Sequence, residues 1–169
     1  IILFIILIIT RPVVNGIYPI GSIDVSSSIA AIIVDDSFSI NGVIDDNDRL
    51  TLTLSYHKSI LNNLSQDQFI EIYLINKGVV FSGLVRDLAN IENFIKTSNN
   101  NGNIRDYVKI LNSRYKSEYI NKELFLISDC QETVFDNVDA STLSSWNLFV
   151  FKIPDLVNNL AIYEVEILN

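Results

Sequence analysis

The sequence predicts a mainly β chain: a β-sandwich or jelly-roll-like domain with one or two short helices and an extended N-terminal strand. Three observations predict it. Leu50-Thr51-Leu52-Thr53-Leu54-Ser55-Tyr56 alternates apolar and polar residues, the period of a strand with one buried face. Residues 69–75 and 79–85 are two β-prone runs on either side of Asn76-Lys77-Gly78, which reads as a hairpin. The chain also opens on nine consecutive apolar residues, six of them Ile.

Composition narrows the class. The 169 residues are 49% apolar and only 19% charged, with a mean hydropathy of +0.30, enough apolar material for one sizeable core. Twenty acids stand against twelve bases for a net charge of −8. That balance excludes a basic footprint for nucleic acid. One Cys and one His exclude both an intramolecular disulfide and a zinc site built from several Cys and His.

The N-terminal run comes first. Ile1, Ile2, Leu3, Phe4, Ile5, Ile6, Leu7, Ile8 and Ile9 are too few to cross a bilayer as a helix, which takes about 20 residues. No stable membrane span is therefore expected. An uncharged, β-prone run of this kind aggregates if left free, so it must be buried. Thr10-Arg11-Pro12-Val13-Val14-Asn15-Gly16 reads as an extended linker, because Pro12 holds Arg11 out of the helical region. The favoured expectation is a donor strand given to a neighbouring copy. A strand of the chain's own sheet and a residual signal-peptide segment are the alternatives. With no Met in the chain, Ile1 is read as a terminus made by processing or as a start downstream of the true one. Residues 1–16 then form strand and linker, and residues 17–169 a single domain.

Within that domain strands are expected at residues 29–34, 50–56, 69–75, 79–85, 124–128, 146–153 and 161–168. Glu71 falls on the face shared by Phe69 and Tyr73. Leu88, Ile91 and Ile95 predict a short amphipathic helix over residues 87–96. Ile104, Tyr107, Val108, Leu111 and Tyr115 predict a second. The polar residues 98–103 between them read as a loop.

Catalytic patterns are weak. His57, at the end of the 50–56 strand, reads as a surface residue, and Cys130, beside Asp129 and Glu132, as a core or turn residue. The chain carries no Gly-x-Ser-x-Gly elbow, phosphate loop or dinucleotide fingerprint, and it is not expected to be an enzyme. The acids are more suggestive. Asp35, Asp36, Asp45, Asp46 and Asp48 place five carboxylates within fourteen residues, a pattern of hard oxygen ligands suited to Ca2+. A second subunit would complete the set. The alternative is that these are solvated strand-end acids that cap turns. Asn63-Leu64-Ser65 is a formal glycosylation sequon.

An apolar N-terminal strand, an extended linker and an acidic β-domain together resemble donor-strand-exchanged extracellular filament subunits, above all the archaeal cannula (tubule) proteins. Ser22-Ile23-Asp24-Val25, residues 29–34, Arg49-Leu50-Thr51-Leu52-Thr53-Leu54 with residues 67–74, and residues 161–168 carry the resemblance. It implies a secreted, extracellular structural protein, a head-to-tail homopolymer whose only partner is itself, stabilised by Ca2+. A different class shares the middle of the chain: residues 50–56, 69–74 and Gly78-Val79-Val80-Phe81-Ser82-Gly83-Leu84-Val85 also look like the β-domain of phage tail-hub or baseplate proteins. A secreted carbohydrate-binding module or hydrolase is a third reading, resting on the sandwich and the acids alone.

Overall fold

A computed structural model of the chain describes residues 28–154, apart from 42, 45–46, 90–94, 99, 101 and 116–118. The expected donor strand, its linker and the strand expected at residues 161–168 lie outside the described residues.

Strand β1 (Ser28–Val34) organises the rest. All seven of its residues are buried, and its apolar side chains point to both faces. Such a run belongs at the centre of a sheet covered on both sides. It pairs in parallel with β4 (Phe69–Leu74) on one flank and with β6 (Asn121–Ser128) on the other, so Ile32 lies between Ile72 and Phe125. β5 (Gly78–Leu84) runs antiparallel to β4, and β7 (Asn147–Lys152) runs parallel to β6. The order is β5-β4-β1-β6-β7. A two-stranded ribbon of β2 (Val43–Ile44) and β3 (Asn47–Asp48) lies apart from it.

Sequence reading is right about a sheet-rich domain with short helices, and about residues 29–34, 124–128 and 146–153 as strands. The expected hairpin forms, with Gly78 at φ +85 in its turn, where a side chain would be strained. The layering differs from the expected sandwich. Among the described residues, helices rather than a second sheet cover both faces, because parallel neighbours need crossover connections and these carry helices. On one face Ile29, Ala31, Ile33, Tyr73, Leu124 and Leu126 pack against Val108 and Leu111 of helix α2 (Arg105–Arg114), which is the second helix expected from the sequence. On the other face Ala30, Ile32, Val34, Ile70, Ile72 and Ile127 meet Ile60 of helix α1 (Arg49–Asn63).

Helix α1 corrects the strand expected at residues 50–56. Asp48 starts it by accepting a hydrogen bond from the Leu50 amide at 3.1 Å, which satisfies one of the free N–H groups of the first turn. Its buried residues are Arg49, Thr53, His57 and Ile60, spaced at four, four and three, so one helical face points inward. Thr53 and Ser55 return their hydroxyls to the carbonyls of Arg49 and Leu52, as helical Ser and Thr do. His57 is therefore not a surface residue; it is 1% exposed on the inner face of α1. Of the helix expected at residues 87–96, residues 90–94 lie outside the described residues. Val85–Asp87 form a single 3-10 turn, and Leu88 and Ile95 pack into the α1-side core.

A buried carboxylate ties α2 to the sheet. Glu71 points from β4 toward α2, as the face assignment predicts, and accepts hydrogen bonds from the Tyr73 hydroxyl, from Ser82 Oγ at 3.2 Å and from Arg114 Nη1 at 2.6 Å. Burial pushes the Tyr73 hydroxyl well above the usual phenol range, and its hydrogen bond to Glu71 pushes the same way. Gly102, from the expected polar loop, lies close to the β4–β5 turn. A side chain at Gly102 would collide with Ile75, so only glycine fits that approach.

Candidate functional site

The topology locates the site before any side chain is considered. From β1 the chain passes through α1 on one face to β4. From β6 it passes through α3 (Glu132–Phe135), whose Val134 packs on the opposite face, to β7. Connections leaving β1 and β6 to opposite faces open a crevice at the carboxyl ends of these two strands, where ligands of open α/β sheets bind. The residues there are Asp35-Asp36-Ser37-Phe38-Ser39 after β1 and Asp129-Cys130 after β6.

The strand ends are held in register by Asp35 N donating to the Ile127 carbonyl at 2.8 Å and Ile153 N to the Ser128 carbonyl at 2.8 Å. Asp35 is fully buried. It accepts from the Ser128 hydroxyl at 2.6 Å and from the Ser37 amide at 3.0 Å. The Ser37 and Ser39 hydroxyls are 2.9 Å apart. Burial raises the Asp35 carboxyl above the ordinary carboxylate range. The Ser128 and Ser37 hydrogen bonds pull it down, and the charge of Asp129 adds a smaller upward push.

Asp129 is engaged from the other side. Arg49, the first residue of α1, reaches in with Nη2 at 3.1 Å from Asp129 Oδ2 and donates through Nη1 to the Ser39 carbonyl at 2.7 Å. The pair is 2% and 1% exposed. Cys130 follows with φ 59, a left-handed conformation that few side chains adopt, and its amide donates to Ser128 Oγ at 3.0 Å. Cys130, expected in the core or in a turn, is half-buried in the segment that follows β6. Thr97 donates to Asn41 at 2.5 Å and Ser98 N to the Asp36 carbonyl at 2.5 Å, so residues 97–98 lie along the loop that follows β1.

Of the five acids expected to form one cation site, the three described ones lie apart. Asp35 faces the crevice. Asp36, equally buried, turns toward β4–β5 and accepts from the Asn76 backbone at 2.8 Å and the Asn76 side chain at 3.0 Å. Asp48 is the exposed N-cap of α1, and Asp45 and Asp46 lie outside the described residues. Asn63 ends α1 with its amide donating to the Ser59 carbonyl at 2.7 Å. Sequence reading missed Ser37, Ser39, Arg49 and Asp129. The signal that finds them is an acid directly following each of two apolar strand runs, Val34-Asp35 and Ser128-Asp129.

Among the described residues no three His, Cys, Asp or Glu side chains converge. Also among the described residues, no helix is long and apolar enough to cross a membrane. Comparison of the chain with protein-family models and with curated proteins gives no match.

Proposed function

We propose that this chain is a binding module that holds a divalent cation at the β1/β6 crevice and presents it to an acidic group of a partner. The observation that carries this reading is the meeting of Asp35 with Ser37 and Ser39 on one strand end, and of Asp129 on the next, at the topological switch point. Two carboxylates and two hydroxyls are four hard oxygens. Mg2+ takes six in an octahedron and is ordinarily held by one or two carboxylates, with its remaining positions left to water or ligand. The set suits Mg2+ or Mn2+ better than the Ca2+ expected from the acid count, since Ca2+ takes six to eight oxygens. An anion is the natural group to fill the remaining positions of such an ion.

The test is thermal unfolding in Mg2+ and in chelator. A cation at about a hundred times its Kd stabilises by about 2.7 kcal/mol, which is about 5–11 °C for a domain of this size. Asp35→Asn and Asp129→Asn should each abolish that rise. A rise that survives in both variants would remove the cation from this crevice.

A second reading, the extracellular filament subunit, is supported by a separate observation. Among the described residues β7 has no neighbour on its outer edge, and Leu148, Phe149 and Val150 are 42%, 45% and 48% exposed. An open apolar edge accepts an added strand, and residues 1–9 have the composition of one. Deleting residues 1–9 should yield monomers that never polymerise. Unaltered fibres from the truncated chain, seen by electron microscopy, would end that reading.

A further inference from the structure

We propose that the cleft between α2, the start of β6 and the 3-10 turn Ala140–Leu143 binds the phosphate group of a small phosphate monoester, with Lys122 and Lys109 supplying the positive charge. Lys122 is at the opposite end of β6 from Asp129, and nothing here depends on a cation at the β1/β6 crevice.

The cleft measures about 510 Å3, within the range of about 300–1,000 Å3 usual for small-molecule sites. In a chain of twenty acids and twelve bases, its lining holds two lysines and no acid; the other lining side chains are Asn112 and five that carry hydroxyls. Asn112 holds the walls together. Its side-chain amide donates to the Thr142 carbonyl, and its Oδ1 accepts from Trp146 Nε1 at 2.8 Å. Asp139, which caps the turn, accepts from the Ser141 amide at 2.9 Å and stays outside the lining.

A second observation points to a ligand. Lys122 is only 8% exposed. Its Nζ donates to the Tyr115 carbonyl at 3.1 Å and lies 5.7 Å from the centroid of the Trp146 ring. Among the described residues no carboxylate comes within ion-pair distance of it. A buried charge is ordinarily paired, and one left without a counter-ion is costly. An anion in the cleft supplies the missing charge. Lys109, three residues before Asn112 and so on the same side of α2, brings a second ammonium to the rim.

The donors select the kind of anion. A planar carboxylate is matched by the fork of an Arg, whereas lysines act as point charges and are regular partners of phosphate. Arg114 of the same helix is turned away to Glu71. Two ammonium groups, with the hydroxyls of Ser141, Ser144 and Ser145 around them, suit a tetrahedral oxyanion of charge about −1.5 to −2. The volume left over takes a small hydroxylated body.

The experiment titrates glycerol phosphate into the full chain by calorimetry, with glycerol and with chloride at equal ionic strength as controls. Saturable binding is expected for glycerol phosphate alone. Lys122→Met keeps an apolar stem in the same packing and should weaken binding about tenfold or more, as the loss of a hydrogen bond to a charged group does. Lys109→Gln, an exposed change that serves if the Met variant does not fold, should weaken it about two- to fivefold. Trp146 is the only Trp in the chain, so its emission should change as the anion draws on Lys122. No binding, or a response that glycerol or chloride reproduces, overturns the inference. Undiminished affinity in either folded variant, or unchanged Trp146 emission at saturation, places the anion elsewhere and overturns it too.

Discussion

Replacing Tyr73 by Phe removes one oxygen and leaves the ring in place, so its cost isolates a single buried hydrogen bond. The ring packs against Tyr107 with centroids 5.3 Å apart, a contact that Phe preserves. What goes is the hydroxyl that donates to Glu71. The buried carboxylate is then left with Ser82 at 3.2 Å and Arg114 at 2.6 Å. A hydrogen bond to a charged group contributes about 1.5–3 kcal/mol, so Tyr73→Phe should destabilise the fold by about 2 kcal/mol. At about 2–4 °C per kcal/mol for a domain of this size, the melting temperature should fall by about 4–8 °C. Urea unfolding measures the loss directly and should show a shifted midpoint with an unchanged slope. A double-mutant cycle with Glu71→Gln should return a coupling of about 1 kcal/mol or more. A Tyr73→Phe protein within about 0.5 kcal/mol of its parent, with no coupling to position 71, would refute the view that this bond stabilises the buried carboxylate to which Arg114 of α2 is tied.

Three further outcomes follow from the same contacts. Asp48→Ala removes the N-cap of α1 and should cost about 1 kcal/mol in urea unfolding; no loss would mean that the cap bond contributes nothing. Gly102→Ala places a methyl against Ile75 and should destabilise by about 1–3 kcal/mol through overpacking, whereas an unchanged midpoint would show that the loop gives way freely. Tyr73, Tyr107 and Tyr115 all have phenols raised by burial as the leading cause. The native state keeps protons that the unfolded chain releases above about pH 10. Their contribution to stability is thus intact below that pH and is lost as the pH rises beyond it. Absorbance titration should show these three of the seven tyrosines ionising only as the chain unfolds. A single transition of all seven in folded protein would contradict that.

How much of this was legible depended on where the apolar residues fell. β1 could be read from the sequence because Ser28–Val34 is apolar on both faces, and β4 and β5 because a Gly turn separates two β-prone runs. That continuous run was also the sign of a central parallel strand, and so of helices on both faces, which a sandwich expectation passes over. α1 was misread because its inward face carries Arg49, Thr53 and His57, leaving hydrophobic periodicity little to register there. Its Leu residues at 50, 52 and 54 instead imitate a strand. In the site, Asp35 stood out as one of a crowd of acids, while its true neighbours lay far along the chain. Ser128 is 93 positions from Asp35, and Asp129 is 80 from Arg49. Only the parallel pairing of β1 with β6 brings them together.

The claim that the β1/β6 crevice holds a divalent cation is tested most directly by titrating Mg2+ into the purified chain by calorimetry and counting the bound ions. One ion per chain, absent from both Asp35→Asn and Asp129→Asn, is the predicted result. No binding in the parent protein, or undiminished binding in the two variants, would contradict it.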